Sequence, residues 1–370
     1  MEIKLPSYFK YTVILLGLFL LLHFLQTFSP VLIPICFAAL FALLLLPMAR
    51  GLERRLPRAI SIVISLVVVI LILGMLIWFL SSQVANFSSE LTEINSKLSG
   101  LIAKFQSFLY ERFGIKPTNK SEFLQKALGN VTQTGTAFLG STISLTTGAL
   151  TVLSLIPIYV FCMLYYRDHL RQFMFQFITR DRREPLMETV DNIQRVVQGY
   201  LSGLLIVICV VSVLNSVGLL IMGVEFAIFF GVMAAILTVI PYIGILIGAL
   251  FPALFVFVNT GSAGQMLIVI GIFAFVQFLE GNFITPFVVG SKVSINPFAA
   301  IVALILGGEI WGAPGMILSI PIIAILKVIF DAYEPLQPFG FLLNDINQGP
   351  AENRLLKRLK SRRNQVKGPV

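Results

Sequence analysis

The chain has 370 residues, of which 57% are hydrophobic and only 12% are charged. A soluble domain carries about 25% charged residues, so this composition excludes an ordinary soluble protein, and apolar runs longer than roughly 18 residues indicate membrane-crossing helices. The formal net charge of +9 does not indicate a nucleic-acid partner, because lysine and arginine collect in the cytoplasmic loops of membrane proteins.

Three apolar runs fill the first 80 residues. They cover residues 11–28, 31–48 and 59–80. Pro30 disfavours helical geometry at Ser29, so the first turn is predicted at these two residues. Four arginines lie in residues 50–58, directly beside a span, and this density places the loop in the cytoplasm. The N-terminus is predicted to be cytoplasmic as well.

Residues 81–142 differ from the runs around them because they are polar and of mixed charge. Apolar side chains recur there at alternating spacings of three and four, as in the seam of a coiled coil. These seam residues are Val84, Phe87, Leu91, Ile94, Leu98, Leu101, Phe105 and Phe108. We predict a long helix that continues out of the third span, a turn at residues 114–119 and a short helix over residues 121–130. The seam packs either within an amphipathic hairpin or against other subunits, outside the cytoplasm by the crossing count.

The middle of the chain holds a fourth span over residues 143–166 and a fifth over residues 196–222. Between them, residues 167–195 are rich in arginine and are therefore predicted to be cytoplasmic. The basic residues within 354–367 place the C-terminus on the same side of the membrane.

The sequence carries no recognisable catalytic motif. It lacks the G-x-x-x-x-G-K-[ST] pattern that binds a nucleotide, and no Ser/His/Asp, Cys/His or H-E-x-x-H arrangement is present. Cys36, Cys162 and Cys209 lie in apolar runs without the spacing of a metal site, so they are predicted to pack as small core residues. We therefore expect no enzyme, no cofactor and no metal.

Two apolar segments, residues 226–258 and 298–328, are too long for one simple span, and residues 265–287 between them form a further span. The expected helix breaks lie at Pro241, Gly244, Pro286, Gly312, Pro314 and Gly315. Each long segment is either one tilted, broken span or a re-entrant hairpin of two half-helices. Paired interrupted helices point to a transport site, because their freed ends offer backbone donors and acceptors to a solute. The alternative is that proline and glycine only kink packed helices.

Two carboxylates, Glu280 and Glu309, lie in this otherwise apolar part of the sequence. An ionisable group at membrane depth costs about 2.5 kcal/mol or more, so it usually faces a cavity or a partner. The candidate pathway residues are Glu280, Asn282, Glu309, Tyr242, Gln277 and Lys292. Lys292 could neutralise one of the acids. The alternative places both acids at span ends, in the water of the headgroup region.

These features together predict an all-α polytopic helical membrane protein with about eight membrane segments, two of them broken or re-entrant, and an extracytoplasmic helical hairpin. By composition the chain divides into four segments. They are three N-terminal spans (1–80), the amphipathic insertion (81–142), a C-terminal membrane domain with the transport site (143–336) and a basic cytoplasmic tail (337–370).

The second half of the chain resembles a known family, the autoinducer-2 exporters, also called PerM-like permeases. The residues that carry the resemblance are 240–244 (IPYIG), then Gln277, Glu280, Asn282, Pro286, Gly290, Asn296 and Pro297, then Gly307, Gly308, Gly312, Gly315 and Pro321. With the insertion after the third span, the resemblance extends over most of the chain. Many relatives carry an acidic residue directly before the asparagine, where this chain has Gly281 and places Glu280 one residue earlier.

The resemblance implies a bacterial inner-membrane protein with about eight spans and both termini in the cytoplasm, which forms homo-oligomers in the lipid bilayer. Studied members are described as exporters of the quorum-sensing signal autoinducer-2, and others as sodium or lithium/proton antiporters. The resemblance therefore implies transport without fixing the substrate.

Three functions stay open from the sequence: an exporter or permease of a small polar solute, a cation/proton antiporter that uses Glu280 and Glu309, and a non-transporting scaffold that acts through residues 81–142. We favour the solute. The side chains of Asn282, Thr285, Tyr242 and Gln277 can offer it hydrogen bonds beside an apolar wall of phenylalanines.

Overall fold

The structure is a computed structural model that describes residues 7–113, 147–176, 183–240, 243–288 and 295–345. Its α-helices are α1 (Ser7–Thr27), α2 (Ser29–Glu53), α3 (Arg58–Phe113), α4 (Thr147–Tyr165), α5 (Arg167–Gln176), α6 (Arg183–Ile221), α7 (Ala227–Leu237), α8 (Ile243–Thr260), α9 (Ala263–Leu279), α10 (Thr285–Val288), α11 (Pro297–Ala332) and α12 (Gln337–Leu343). A π-helical turn at Glu280–Ile284 and a 3₁₀ turn at Glu334–Leu336 complete the regular structure. Within these described ranges every regular element is helical, and the predicted all-α class is confirmed.

Five helices in the described part of the chain are long and apolar enough to cross a membrane. They cover Ser29–Glu53, Arg58–Val84, Arg183–Ile221, Ala263–Val288 and Pro297–Ala332. Shorter apolar helices include Tyr11–Thr27, Ser154–Tyr165, Ala227–Leu237 and Leu246–Thr260. This set of helices confirms a polytopic helical membrane protein.

The break between α1 and α2 lies at Phe28, one residue before the predicted turn at Ser29 and Pro30, and both of these residues are helical. Helix α1 ends at Thr27 and α2 begins at Ser29, so Pro30 falls in the first turn of α2. The missing N–H of Pro30 costs nothing there, because the first N–H groups of a helix have no intrahelical partner.

Helix α3 is much longer than a membrane span. Its 56 residues correspond to about 84 Å of helix, against about 30 Å for the hydrocarbon core of a bilayer. The predicted continuation of the third span is therefore present as far as Phe113. Of the seam side chains only Val84 is described, and it packs with Leu80 against the apolar core of α7–α9. The predicted turn at residues 114–119 and the short helix over residues 121–130 lie outside the described residues.

The chain forms two compact units that interleave along the sequence. Unit 1 comprises residues 1–44, 166–201 and 289–370, and unit 2 comprises residues 45–165 and 202–288. These units follow packing rather than composition, so the four segments drawn from composition stay a prediction.

Each unit has its own apolar core. In unit 1, Leu40 of α2, Val197 of α6 and Leu318 of α11 are buried together. In unit 2 the largest cluster joins the end of α6 to α7, α8 and α9, with Phe230 packed on Phe255 at a ring-centroid distance of 5.3 Å.

Helices α7 and α8 of unit 2 form an antiparallel hairpin. Helix α7 has 11 residues, or about 16 Å, which is too short to cross a bilayer alone. The two helices approach closely through small residues, since a side-chain carbon on Gly248 would lie 2.7 Å from the Ala234 methyl carbon. Nearer the turn, Gly244 lies against the carbonyl of Leu237. The interrupted segment at residues 226–258 therefore contains two helices that pack against each other, the first of them shorter than a membrane span.

Helix α11 of unit 1 reverses its direction at Gly312, where φ is 63° and ψ is −141°. A side-chain carbon on Gly307 would lie 2.5 Å from the carbonyl oxygen of Gly315. In a straight helix these two residues would be about 12 Å apart, so residues 297–311 and 313–332 must be two antiparallel arms. Residues 298–328 are therefore a hairpin of two antiparallel arms, and the stretch Pro297–Ala332 is not one straight helix. The left-handed φ at the tip favours glycine, which carries no Cβ.

Candidate transport site

The backbone around Glu280 is widened into a π turn, and Pro286 gives the physical reason. Proline has no N–H, and its ring would clash with the carbonyl four residues earlier, at Asn282, in a regular α-helix. The chain avoids this clash because the N–H of Thr285 donates to the carbonyl of Glu280, five residues back. Single π turns of this kind occur frequently at functional sites.

The carboxylate of Glu280 is held at both of its oxygens. Gln277 donates from Nε2 to Oε2 at 2.5 Å, and Thr285 donates from Oγ1 to Oε1 at 2.5 Å. All three side chains are half-buried. A regular helix brings residues three and four apart together, whereas the π turn also brings Thr285, five residues on, to the same carboxylate. The result is a polar group of three side chains in an apolar span, which we call the Glu280 cluster.

Gly281 and Asn282, next to the Glu280 cluster, are exposed. Asn282 is exposed and donates from Nδ2 to the Phe278 carbonyl of its own helix at 2.9 Å. A side-chain carbon on Gly281 would meet no atom within 4 Å. The position where many relatives are expected to carry an acid therefore has room for one in this chain as well.

Glu309 is located on the first arm of the α11 hairpin, three residues before the reversal at Gly312, and it is exposed. The tip beside it is fixed by two hydrogen bonds. Ser319 donates to the Gly315 carbonyl at 2.6 Å, and the indole N–H of Trp311 donates to the Leu25 carbonyl of α1 at 2.9 Å. Glu309 is thus a charged group on a firmly held hairpin.

Asn296 fixes the base of the same hairpin. Its Oδ1 accepts from the N–H of Ala299 at 2.8 Å and so caps the first arm. Its Nδ2 donates to the carbonyls of Leu342 at 2.7 Å and Asn344 at 3.2 Å. The side chain therefore ties the start of α11 to the end of α12.

Only part of the predicted site is brought together. Gln277 and Glu280 lie in one cluster of unit 2, whereas Glu309 belongs to unit 1. Tyr242, Pro241 and Lys292 lie outside the described residues.

Sequence reasoning missed the anchoring roles of Trp311 and Ser319. A usable signal was present for Trp311, because an indole N–H in an apolar segment needs an acceptor. Within the described ranges, no three His, Cys, Asp or Glu side chains are grouped as metal ligands.

The fold and the site define a class, that of helical membrane proteins with two helical hairpins and a polar cluster within a span. Comparison with known families is more specific, since the model of the AI-2E family transporter matches residues 12–335. This match covers most of the chain, which therefore belongs to the AI-2E family of membrane transporters. The resemblance noted from the sequence is confirmed.

Individual relatives share about 30% identity with this chain or less, over part of its length. YrrI and YueF of Bacillus subtilis (strain 168), both named provisionally as transport proteins, are 30% and 28% identical over 47% and 57% of this chain and 49% and 55% of their own length. The AI-2 transport protein TqsA of Escherichia coli (strain K12) is 29% identical over 34% of this chain and 37% of its own length. The matched stretch covers about half of YrrI and YueF.

Proposed function

We propose that this protein exports a small polar organic solute across the bacterial cell membrane, and that the Glu280 cluster forms part of the solute path. The observation that carries the proposal is the carboxylate of Glu280, which accepts hydrogen bonds from Gln277 and Thr285 within an apolar span. Membership of a transporter family supports transport as the activity.

The chemistry of the Glu280 cluster favours a solute with hydroxyl groups. A carboxylate accepts hydrogen bonds, and the amide of Gln277 and the hydroxyl of Thr285 can both donate and accept. A hydroxylated solute could therefore replace either internal donor without leaving a buried polar group unsatisfied. The exposed amide of Asn282, two residues further on, adds a second polar contact.

Autoinducer-2 is the candidate solute that the comparisons support, since TqsA is named as an AI-2 transport protein. A sodium or lithium/proton antiporter is the alternative. Each carboxylate oxygen of Glu280 already accepts one hydrogen bond, so a cation there would share these oxygens with Gln277 and Thr285. Glu280 belongs to unit 2 and Glu309 to unit 1.

We further propose that Glu309 binds and releases a proton near the tip of the α11 hairpin, while Glu280 and Asn282 orient the solute. Exposure of Glu309 beside a reversed backbone supports this role. Lys292 is proposed as a partner of one of the acids.

Transport in proteoliposomes tests the proposal directly. Purified protein is assayed with autoinducer-2, and separately with sodium under a pH gradient. We expect movement of autoinducer-2 that falls in Glu280→Gln, with Glu225→Gln as the control, since Glu225 is an exposed acid in the turn before α7. Sodium-coupled proton movement without solute transport would instead establish the antiporter, and the absence of both activities in folded protein would favour a scaffold.

A further inference from the structure

Helix α5 (Arg167–Gln176) has an apolar arc that is largely exposed among the residues the structure describes. On a helical projection Leu170, Phe173 and Met174 share an arc about 100° wide. These side chains are 47%, 53% and 37% exposed, and no residue of α5 is buried. Contact with a further apolar phase would bury the rest of this arc and stabilise the helix.

Arginines lie along one edge of this arc. Arg167 and Arg171 follow Met174 on the projection, and the next cationic residues are in the segment that leads into α6. Residues 167–183 contain five arginines and two aspartates, a net charge of +3. Arg167 pairs with Asp168 at 3.9 Å and Arg171 with Asp191 at 3.3 Å. The Arg171 pair is solvent-exposed and therefore weak, while the side chain of Arg167 is partly buried and pairs with its immediate neighbour at a long distance, so both arginines keep a positive charge on this edge of the helix.

Helix α5 directly follows α4, whose end carries residues typical of a membrane–water interface. Helix α4 ends at Tyr165, and Tyr165 and Tyr166 are the aromatic type that collects at the membrane–water interface. Arg58 donates to the Leu164 carbonyl at 2.7 Å and its guanidinium lies 5.9 Å from the Tyr165 ring centre, so a charged group marks this level. Helix α5 begins two residues later, and two residues of chain reach at most about 7 Å.

We propose that α5 lies in the membrane–water interface, buries Leu170, Phe173 and Met174 among the acyl chains and binds anionic phospholipid headgroups through Arg167 and Arg171. Amphipathic helices with basic polar faces bind membrane surfaces in this way. The positive charge of residues 167–183 complements an anionic leaflet, which attracts basic segments next to a span. This site is separate from the Glu280 cluster and does not depend on what the protein transports.

Bromolipid quenching tests the proposal in the full-length protein. Cys36, Cys162 and Cys209 are replaced by serine, single cysteines are placed at positions 170, 173, 174, 172 and 176, and each is labelled with bimane. The labelled proteins are reconstituted in vesicles of phosphatidylcholine and phosphatidylglycerol at one fixed ratio, with either lipid brominated. We expect quenching at positions 170, 173 and 174, stronger with brominated phosphatidylglycerol, and iodide quenching at positions 172 and 176.

Charge variants then separate headgroup binding from local structure. Arg167→Gln with Arg171→Gln should abolish the preference for brominated phosphatidylglycerol. Asp191→Asn removes the Arg171–Asp191 ion pair but keeps Arg171. Arg195→Gln removes an arginine of α6 that lies outside residues 167–183. Both controls should keep the stronger quenching by brominated phosphatidylglycerol. Equal quenching by the two lipids, iodide access at every position, or quenching by neither lipid nor iodide would each overturn the proposal.

Discussion

Glu280 owes its surroundings to one proline six residues along the chain. Pro286 forces the wide turn, the wide turn brings Thr285 back to the carboxylate, and Gln277 occupies the other oxygen. A change at Gln277 or Thr285 should therefore remove one of the two hydrogen bonds to the carboxylate, whereas a change at Pro286 should alter the backbone turn itself.

The first prediction concerns the charge of the two acids. Glu280→Gln and Glu309→Gln keep the size of each side chain and remove its charge, so folding should survive while transport falls. In Glu280→Gln one carboxylate oxygen becomes an amide nitrogen, which loses one accepted hydrogen bond of roughly 1 kcal/mol. Solute flux in proteoliposomes at equal protein abundance measures the effect. Rates and pH dependence like those of the wild type in both variants would remove the two acids from the mechanism.

At the scale of elements, the α11 hairpin depends on the contact between two backbones. The second prediction is that Gly315→Ala destabilises the protein, because its methyl group would strike the carbonyl of Gly307, which cannot move as a side chain can. Overpacking of this kind costs about 1–3 kcal/mol. Thermal unfolding in detergent should show a lower Tm.

Gly308→Ala is the matched control on the same arm. Its methyl group would lie 3.3 Å from Cγ of Met316, a flexible side chain that can shift by a few tenths of an ångström. We expect nearly unchanged thermal unfolding. If the two variants unfolded at the same temperature, the backbone contact would not be what holds the arms together.

The third prediction concerns the helix that extends α3 beyond the membrane. Its apolar stripe is narrow, as a seam between helices requires, and we expect the seam to support assembly of a homo-oligomer. Leu91→Asp together with Leu98→Asp should weaken the oligomer and leave membrane insertion intact. Particle mass in mild detergent provides the measurement, and an unchanged mass would show that the seam packs within one subunit.

At the scale of the whole molecule, the fourth prediction is the topology. Both termini and residues 50–58 and 167–195 should be cytoplasmic, and residues 81–142 should lie on the other side of the membrane. The reason is that loops rich in lysine and arginine remain in the cytoplasm. Single cysteines in a cysteine-free background, labelled from one side at a time, locate each loop. If Ser96→Cys were labelled only from the cytoplasmic side, the predicted topology would be wrong.

The class of the molecule and the positions of its breaks are visible in the amino-acid sequence, because hydropathy and proline or glycine chemistry act locally. The extension of the third span and the interruption near Gly312 follow from residues within a few positions, whereas the predicted turn at Ser29 and Pro30 is displaced by one residue to Phe28. Glu280 also stands out in the sequence, because it is an acidic residue within an apolar run.

Neighbouring residues do not determine whether the chain continues straight or turns back after an interruption. A kinked span and a hairpin use the same glycines and prolines, and only the contact of Gly307 with Gly315 shows that α11 turns back. The pairing of Glu280 with Thr285 likewise depends on the five-residue register of the π turn, and the placement of Glu280 and Glu309 in different compact units depends on packing. Tertiary structure decided the hairpin, the Glu280–Thr285 contact and the division into units, because each depends on distances between residues that the sequence alone does not specify.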